Sequence, residues 1–511
     1  MPLFLGSAVR AARRRLERLE RTPRPPRRVI PFGLDWVKAF LPHYAEQPFS
    51  PLHRELADDL AALPGSRRTF LNRIAPRGSA KSTIASKAYP LWSVLEGVEP
   101  FVLLLSDSSR QACSFLRAIK RELESNPHIA AAYPHAAGVG PIWQGTHVRT
   151  RNGCELMAVG AGGRVRGLSA GERRPTLVVV DDANDKQDAF SPDRRRKKLD
   201  WLTKDVLPIG EPDTNFVSVG TAIHRDAIVC ALAREGGWQT KSYRSVIRWP
   251  DRADLWVRWE RLYTNLADPD RAATARAFYE ANRGDMDAGG VVLWPERFPL
   301  YDLMGRKATM GDAAFRCELQ DEPGSDGAVE WDPLYFAGGD FWVPRLPDDL
   351  AFKVQALDPS KGGKDRPGDW QAHVLVGLGR DGNWYFDADL RREDATRMAG
   401  RAADLAELWR PDVLIAEDNG TCGLLAAEFG ELVAVGRLAA VRLEMMTSTD
   451  PKSERIRKVG AYLARRQVRV VGSTGGRMLV AQWMDWPGCE FDDAADAAGV
   501  GVRRIEMAYG T

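Results

Sequence analysis

The sequence is poor in cysteine, and this shortage excludes two kinds of architecture. Among 511 residues there are six cysteines, and no two of them have the C-x-x-C spacing of metal sites and redox motifs. Their scatter argues against a zinc site and against a scaffold held by disulfides, and it fits a reducing compartment. The positions are Cys113, Cys154, Cys230, Cys317, Cys422 and Cys489.

The chain also lacks a long hydrophobic run and a large excess of charge. No stretch approaches the roughly 20 apolar residues that a membrane span needs. A short apolar run from Pro2 to Val9 precedes arginines, which is the reverse of the order in a signal peptide. The formal net charge is only +3, so any nucleic-acid surface must be local. We therefore expect a cytoplasmic protein with no membrane partner.

Apolar strand-like segments alternate with helical ones, which predicts parallel sheets with crossover helices. We predict a basic arm over residues 1–45, a first α/β domain over 46–325 and a second over 345–511. In the first domain the alternation of strand-like and helical segments becomes less regular from about residue 240. The composition of residues 323–327 predicts a linker. The predicted strands are 69–74, 101–105, 176–180, 215–219, 352–357, 373–378, 383–387 and 413–416, and two predicted helices are 109–125 and 393–409.

Residues 75–83, Ala-Pro-Arg-Gly-Ser-Ala-Lys-Ser-Thr, lie between a predicted strand and a predicted helix. A tight loop in this position points its backbone N–H groups and the helix dipole at a polyphosphate. Lys81 adds a charge, and the Ser82 hydroxyl suits Mg²⁺. Ala75 and Ala80 stand where glycine is usual, so an ordinary turn before a helix is the alternative. The candidate nucleotide-binding residues of this loop are Arg77, Gly78, Ser79, Ala80, Lys81, Ser82 and Thr83.

A phosphate loop needs an acid on the metal side, and four apolar residues followed by Asp181 and Asp182 supply it. Asp181 would bind Mg²⁺ together with Ser82. Asp182 would orient the attacking water, although Glu is more frequent there. The combination predicts a P-loop ATPase domain that uses ATP and Mg²⁺.

Three further features have a place in such an ATPase. A glycine-rich loop at residues 160–167 carries Arg166 and Arg164, and in that order they are candidates for an arginine finger. Gly220 and Thr221 end the next strand and could sense the γ-phosphate. Phe49 and His53 form either an adenine pocket or part of a packing helix.

A second set of acids lies in the last third of the chain. Asp358 and Glu417 each end a predicted strand, with Asp418 next to the latter, and Asp492, Asp493 and Asp496 open a predicted helix. Acids from two strand ends and one helix can hold two Mg²⁺ or Mn²⁺ ions for phosphodiester cleavage. This is the layout of ribonuclease-H-like nucleases. We favour Asp493 as the third acid, with Asp492 as a second ligand, and the choice among the three stays open.

Several basic clusters are candidates for contact with nucleic acid, and a solvated surface is the alternative for each. They are the arginine-rich residues 7–28, residues 194–198 (Arg-Arg-Arg-Lys-Lys), residues 361–366, and the group Lys452, Arg455, Arg457 and Lys458.

An ATPase followed by a ribonuclease-H-like nuclease in one chain resembles the large terminase subunit of tailed bacteriophages. The resemblance covers about residues 45–511 and is carried by the motifs around Lys81, Asp181, Asp358, Glu417 and Asp493. It implies a motor that packages double-stranded viral DNA and cuts the concatemer. It also implies a small terminase subunit and a portal protein as partners, a homo-oligomeric ring (a pentamer), and the host cytoplasm as the location.

Two other functions are compatible with the same motifs. A helicase-nuclease of DNA repair or defence would unwind DNA directionally and would carry a second motor domain, for which the sequence has no candidate. A DNA-binding scaffold with an inactive ATP site would bind nucleotide without hydrolysing it.

Overall fold

The computed structural model describes residues 29–168, 173–184, 188, 191–323, 331–359, 370–393, 395–417, 422–446, 451–489 and 491–510. Residues 361–366, Asp418, the arginine-rich part of the predicted arm and most of the predicted linker lie outside these ranges. Among the described helices, none is both long and apolar enough to cross a bilayer.

The first part of the chain alternates strands with helices, as the apolar pattern predicts. Its helices are α1 (Leu34–Phe40), α2 (Pro51–Ala62), α3 (Tyr89–Glu96), α4 (Ser109–Ser125), α5 (Pro127–Ala132) and α6 (Pro192–Trp201). Its strands are β1 (Phe70–Ile74), β2 (Phe101–Ser106), β3 (Ile142–Trp143), β4 (His147–Arg149), β5 (Glu155–Gly160), β6 (Leu177–Asp181) and β7 (Asn215–Gly220). Shorter 3₁₀ or π turns cover Pro42–Tyr44, Leu63–Gly65, Thr83–Ala88, Leu202–Val206 and Leu207–Ile209.

The remainder of the chain adds a helical region and a second sheet. The helices are α7 (Ile228–Ala233), α8 (Ala253–Thr264), α9 (Arg271–Asp287), α10 (Leu300–Met310), α11 (Asp312–Leu319), α12 (Ala395–Trp409), α13 (Cys422–Ala434), α14 (Lys452–Ala464), α15 (Thr474–Asp485) and α16 (Asp493–Ala508), with a 3₁₀ turn at Pro333–Phe336. The strands are β8 (Gln239–Ser242), β9 (Val246–Arg248), β10 (Val291–Val292), β11 (Trp342–Val343), β12 (Phe352–Asp358), β13 (Gln371–Leu378), β14 (Trp384–Arg391), β15 (Val413–Glu417), β16 (Arg442–Met446) and β17 (Val468–Val471).

By compactness the chain divides into two units. The first comprises residues 1–71, 80–183 and 200–219, and the second comprises residues 72–79, 184–199 and 220–511. The domain boundaries expected from the sequence remain a prediction.

The first sheet has eight strands in the order β3-β4-β5-β2-β6-β7-β1-β8. β2 pairs in parallel with β5 and β6, and β6 pairs in parallel with β7. β2, β6 and β7 are buried along their whole length, which explains why they read as continuous apolar runs. Because Ser106 and Val219 are the register partners of Asp181, this carboxylate lies at the carboxyl edge of the parallel strands.

The second sheet has seven strands in the order β11-β17-β14-β13-β12-β15-β16. β12, β13 and β14 form an antiparallel meander, whereas β12, β15 and β16 run parallel to one another. Leu357 pairs with Ala416, so the chain positions of Asp358 and Glu417 come next to each other at the same sheet end. The fold is therefore mixed α/β, with largely parallel strands around each acid-bearing strand end.

Helix α16 packs closely against both α14 and the second sheet because its sequence is rich in small residues. A side chain at Gly499 would lie 2.4 Å from the carbonyl oxygen of Arg455, and one at Gly501 would lie 2.4 Å from a Val376 methyl. The buried alanines of the helix belong to the same core as β12, β13 and β14. This packing brings the first turn of α16 to the end of the sheet.

The region from residue 240 to 320 is more regular than the sequence predicts. It contains the helices α8, α9, α10 and α11, and Trp256 and Trp259 are buried in its own small core. Aromatic side chains join these helices: the ring centroids of Trp256 on α8 and Tyr279 on α9 are 5.8 Å apart, and those of Trp259 on α8 and Tyr301 on α10 are 5.3 Å apart. Such tertiary contacts leave no periodic pattern in the sequence, and for this reason the sequence predicts a less regular region here.

Candidate active sites

The loop between β1 and the helical turn Thr83–Ala88 contains two residues in the left-handed backbone region. Gly78 has a φ of +80°, and Ala80 has a φ of +58°. An alanine in the left-handed region costs roughly 1 kcal/mol more than glycine, so the structure retains this geometry against a local preference. The carbonyl oxygen of Ala80 accepts a hydrogen bond from the N–H of Thr83 at 3.0 Å, which begins the helix.

The loop and the acid strand meet within the first unit. The Ser82 hydroxyl donates a hydrogen bond of 2.9 Å to Oδ1 of Asp181, across 99 residues of sequence. Nζ of Lys81 lies 3.3 Å from Oδ2 of Asp182, and the Lys81 side chain is only 6% exposed. The structure thus brings together the two motifs that the sequence predicts to form one site.

A second serine contributes to this site, and the sequence reading overlooked it. The Ser86 hydroxyl donates to Oδ2 of Asp181, so both oxygens of this carboxylate accept a hydroxyl hydrogen bond. Ser86 lies four residues after Ser82 on the same helical turn, and this spacing is the signal that could have revealed it.

Burial raises the pKa of Asp181 to about 7, and the neighbouring charge of Asp182 acts in the same direction. The hydroxyl of Ser86, the charge of Lys81 and the hydroxyl of Ser82 oppose this shift. A divalent cation would favour the ionised carboxylate. Carboxylate and hydroxyl oxygens are hard donors, so the residues present fit Mg²⁺ chemically.

Arg77 belongs to the second unit and is anchored to a glutamate of the same unit. Its backbone N–H donates to the carbonyl oxygen of Glu318 at 2.9 Å, and its Nε lies 3.0 Å from Oε2 of the same residue. Arg77 is therefore paired with a carboxylate of α11 in this structure. Its predicted contact with nucleotide remains a prediction.

Thr221 contacts the beginning of the loop at residues 75–83. Its hydroxyl donates to the carbonyl oxygen of Ala75 at 3.2 Å, and the N–H of Ala75 donates to the carbonyl oxygen of Gly220 at 2.9 Å. Gly220 and Thr221 thus contact the start of the loop through Ala75, which is compatible with their predicted sensing role.

The two finger candidates lie in an exposed loop of the first unit. Nε of Arg166 lies 2.6 Å from Oδ1 of Asp205, and its guanidinium donates to the carbonyl oxygen of Lys204 at 3.2 Å. The Arg166 side chain is 71% exposed, and Arg164 is also exposed. In this structure Arg166 is thus engaged with a surface carboxylate, and its predicted action in trans is untested.

Two other predicted features have structural roles. The N–H of Ser50 donates to Nδ1 of the buried His53 at 3.0 Å, so His53 caps the start of α2. Arg194 and Lys198 both form ion pairs with the buried carboxylate of Asp188, at 2.9 and 2.6 Å. Much of the basic cluster at residues 194–198 is therefore bound within the protein.

The acids of the second unit surround a lysine at the start of α14. Nζ of Lys452 lies 2.6 Å from Asp492, 3.9 Å from Asp493 and 3.8 Å from Asp496. Burial lowers the pKa of Lys452, but the hydrogen bond to Asp492 and the charge of Asp358 outweigh it, and the net shift is upward. Asp358, at the end of β12, is thus electrostatically linked to the acids at the start of α16.

Asp496 forms a bidentate ion pair with an arginine of α14. Nε of Arg455 donates to Oδ1 of Asp496 at 2.7 Å, and Nη2 donates to Oδ2 at 2.5 Å; both side chains are buried. This bidentate pair fixes α16 against α14. Of the three acids that the sequence left open, Asp496 therefore has the clearest structural role.

The first turn of α16 is oriented by a glutamine from α15. Oε1 of Gln482 accepts hydrogen bonds from the N–H groups of Ala494 at 2.9 Å and Ala495 at 3.0 Å. These groups would otherwise lack partners at the helix start. Gln482 thereby fixes the backbone that carries Asp492 and Asp493.

The acids of the second unit suit a hard divalent cation by their chemistry, because carboxylate oxygens are hard donors. Among the described residues, however, no group of three or more His, Cys, Asp or Glu side chains lies close enough together to hold a metal ion. The side chain of Glu417, the predicted partner of Asp358, lies outside those residues. The described part of the predicted ligand set is thus Asp358, Asp492 and Asp493.

Some solved structures show weak similarity to the chain. The nuclease domain of the large terminase subunit gp2 of bacterial virus Sf6, a point mutant with manganese and β-thujaplicinol, has 12% identity, covers 30% of this chain and 88% of its own, and gives a TM-score of 0.24. Thermus thermophilus RuvC with a Holliday junction substrate has 12% identity, with 31% and 97% covered and a TM-score of 0.20.

The fowlpox virus resolvase in complex with Holliday junction DNA has 14% identity, with 31% of this chain and 99% of that chain covered and a TM-score of 0.21. Similarity of this size does not establish a common fold or activity. No protein-family model matches the chain, and no curated protein matches it either.

Proposed function

We propose that this chain is an ATP-driven motor that packages double-stranded viral DNA and also cleaves it with a metal-dependent endonuclease centre. The observation that carries the proposal is the meeting of Lys81 and Ser82 with Asp182 and Asp181 at the edge of a parallel sheet. The second acid centre, around Asp358 and Lys452, supports the nuclease part.

In the ATPase part, the roles follow from charge and position. Lys81 contacts the phosphates of ATP, and the backbone of residues 77–83 surrounds them. Ser82 and Asp181 hold Mg²⁺, which would neutralise charge on the phosphates. Asp182, 44% exposed and next to Lys81, orients the attacking water, and Arg166 acts from a neighbouring subunit.

In the nuclease part, Asp358, Glu417 and Asp493 hold divalent metal, with Asp492 as a second ligand. Two such ions would activate water and stabilise the leaving oxygen. Lys452 balances the charge of the acids before metal binds, because its ammonium group lies among them. The antiparallel meander flanked by the parallel strands β15 and β16 supports a ribonuclease-H-like domain.

The assembly is part of the same proposal. The chain works as a homo-oligomeric ring, a pentamer, on a portal protein in the host cytoplasm. A small terminase subunit selects the viral DNA. These partners rest on the resemblance of the motifs alone.

The ATPase part is tested by Lys81→Ala. We expect DNA-stimulated ATP hydrolysis to fall at least about 100-fold, because a preorganised charge at the phosphates is lost. Thr83→Ser, which keeps the loop and its hydroxyl chemistry, is the matched control. Undiminished ATP hydrolysis by the Lys81→Ala protein would contradict the proposed ATP site.

The nuclease part is tested by Asp358→Asn with plasmid DNA and Mn²⁺ or Mg²⁺. We expect the wild-type protein to linearise the plasmid and the variant to leave it intact. Asp389→Asn is the control, because Asp389 pairs with Arg401 on the same sheet and lies outside the proposed ligand set. A variant Asp358→Asn that still cut the plasmid would refute the assignment.

A further inference from the structure

One arginine beside the second acid centre is held by aromatic rings instead of by a carboxylate. The guanidinium carbon of Arg392 lies 4.4 Å from the ring centroid of Trp370 and 5.3 Å from that of Phe491. Its side chain is exposed. To the residues in the described part of the chain, Arg392 donates no side-chain hydrogen bond and forms no ion pair.

All three side chains come from chain positions next to the acids. Trp370 precedes β13, whose residue Ala372 is the register partner of Asp358. Arg392 follows β14, whose last residue Arg391 pairs with Gln371. Phe491 directly precedes Asp492 in the sequence.

The backbone that carries Arg392 is also fixed. The N–H of Glu393 donates to Oε1 of Gln371 at 3.1 Å, and Nε2 of Gln371 donates to the carbonyl oxygen of Glu393. Gln371 is buried, so this reciprocal pair clamps the chain directly after Arg392. The guanidinium is thus preorganised by two rings and one amide clamp.

The neighbouring arginine is arranged differently. Nε of Arg391 lies 3.1 Å from Oδ1 of Asp389, and Arg401 pairs with the same carboxylate at 2.7 Å. Arg391 therefore has its charge balanced within the protein. A guanidinium held on ring faces keeps its N–H donors available for a phosphate, to which it can bind bidentately.

We propose that Arg392, held by Trp370 and Phe491, binds a phosphate of the DNA backbone next to the phosphodiester bond that is cut. Arg392 is a positioning residue for the DNA substrate. This inference rests on the proposed nuclease function, and it names one contact of that site with its substrate.

The test measures binding of a short fluorescein-labelled DNA duplex to the full chain carrying Asp358→Asn, in EDTA, over about 50 to 200 mM salt. Arg392→Ala is added to this background. We expect an affinity about 5- to 20-fold lower, and a slope of log affinity against log salt that is smaller by about 0.9, as for one lost phosphate contact.

Two further variants separate this role from a purely structural one. Arg392→Lys should restore the slope but only part of the affinity, because the charge returns without the planar fork. Arg391→Ala, the matched control, should leave the slope unchanged. The inference is overturned if Arg392→Ala matches the parent in affinity and slope, or if Arg391→Ala lowers the slope equally.

Failure of this inference can be distinguished from failure of the proposed function. Absence of Mn²⁺-dependent cleavage by the chain with Asp358 intact would refute the nuclease function. The salt slope of Arg392→Ala, measured without metal, tests the phosphate contact itself.

Discussion

The two acid centres of this chain stabilise their buried carboxylates by different interactions. Asp181, in the first unit, accepts hydrogen bonds from two serine hydroxyls and has a raised pKa. Asp496, in the second unit, is buried as deeply but forms a bidentate pair with Arg455. A carboxylate held by hydroxyls retains affinity for a cation, whereas one that is already paired with a guanidinium contributes to the fold.

This difference indicates which acids to assign to metal binding or catalysis and which to the stability of the fold. In both centres a lysine lies near an acid to which we assign a chemical role. Nζ of Lys81 lies 3.3 Å from Asp182, the proposed water-orienting acid, and Nζ of Lys452 lies 2.6 Å from Asp492, a proposed metal ligand. These lysines compensate charge without the closed geometry of an arginine fork. Four variants can break or sharpen this comparison.

The largest effect is expected for Arg455→Met, which removes the bidentate partner of the buried Asp496 and leaves it, among the described residues, only Lys452, at 3.8 Å. The free energy of unfolding should fall by about 3–5 kcal/mol, measured by urea denaturation followed by circular dichroism. The double variant Arg455→Met/Asp496→Leu should recover most of this loss, since no uncompensated charge remains. Equal losses in the single and double variants would show that Asp496 does not depend on the pair.

Asp181→Asn should act in the opposite direction and stabilise the protein in EDTA. The folded-state pKa of Asp181 is about 7 against an ordinary 3.8, so its carboxylate reduces stability progressively as the pH rises from 3.8 through 7. Above that range we expect Asn to raise the free energy of unfolding by about 2–4 kcal/mol.

The measurement is the thermal midpoint of both proteins at about pH 8 and about pH 5, where the gain should be larger at the higher pH. A variant that is less stable than the wild type at about pH 8 would contradict a raised pKa of Asp181.

His373 gives the second unit a pH dependence of the other sign. Burial lowers the pKa of His373 to about 4, while the charge of Asp389 raises it in part and that of Arg401 lowers it. The neutral imidazole therefore stabilises the fold above pH 6.5, and this contribution is lost as the pH falls from 6.5 through 4.

Between pH 6.5 and 4 the free energy of unfolding of the wild type should fall by up to about 3 kcal/mol because of His373, and we expect His373→Leu to remove this fall. Urea denaturation across this range, compared with the wild type, measures it. Parallel curves for the two proteins would exclude His373 as the cause.

The smallest effect is expected for Ala80→Gly in the loop at residues 75–83. Glycine adopts the φ of +58° at position 80 without the steric cost that alanine bears. The free energy of unfolding should rise by at most about 1 kcal/mol, and Ala75→Gly is the control at a position without a positive φ. Destabilisation by Ala80→Gly alone would mean that chain entropy outweighs the relief of strain.

Much of the strand framework could be predicted from the sequence, because buried parallel strands are continuous apolar runs. The acid positions at strand ends, Asp181 and Asp358, followed from the same runs. The proximity of Ser82 and Asp181 was also predictable, because the sequence analysis assigned both residues to one Mg²⁺ site.

Other features depend on tertiary contacts that no local pattern carries. The commitment of Asp496 to Arg455 needs α14 and α16 to pack closely, which Gly499 permits. The helices around Trp256 are stabilised by aromatic packing within their own core. The contact of Arg392 with two rings joins three distant segments of the chain.

The central claim is that one chain contains two separate catalytic centres. The most direct measurement assays ATP hydrolysis and Mn²⁺-dependent plasmid cleavage in parallel on the Lys81→Ala and Asp358→Asn proteins. We predict that Lys81→Ala loses hydrolysis but still cleaves, and that Asp358→Asn loses cleavage but still hydrolyses ATP. Loss of both activities in either variant, or of neither activity in both, would contradict the claim.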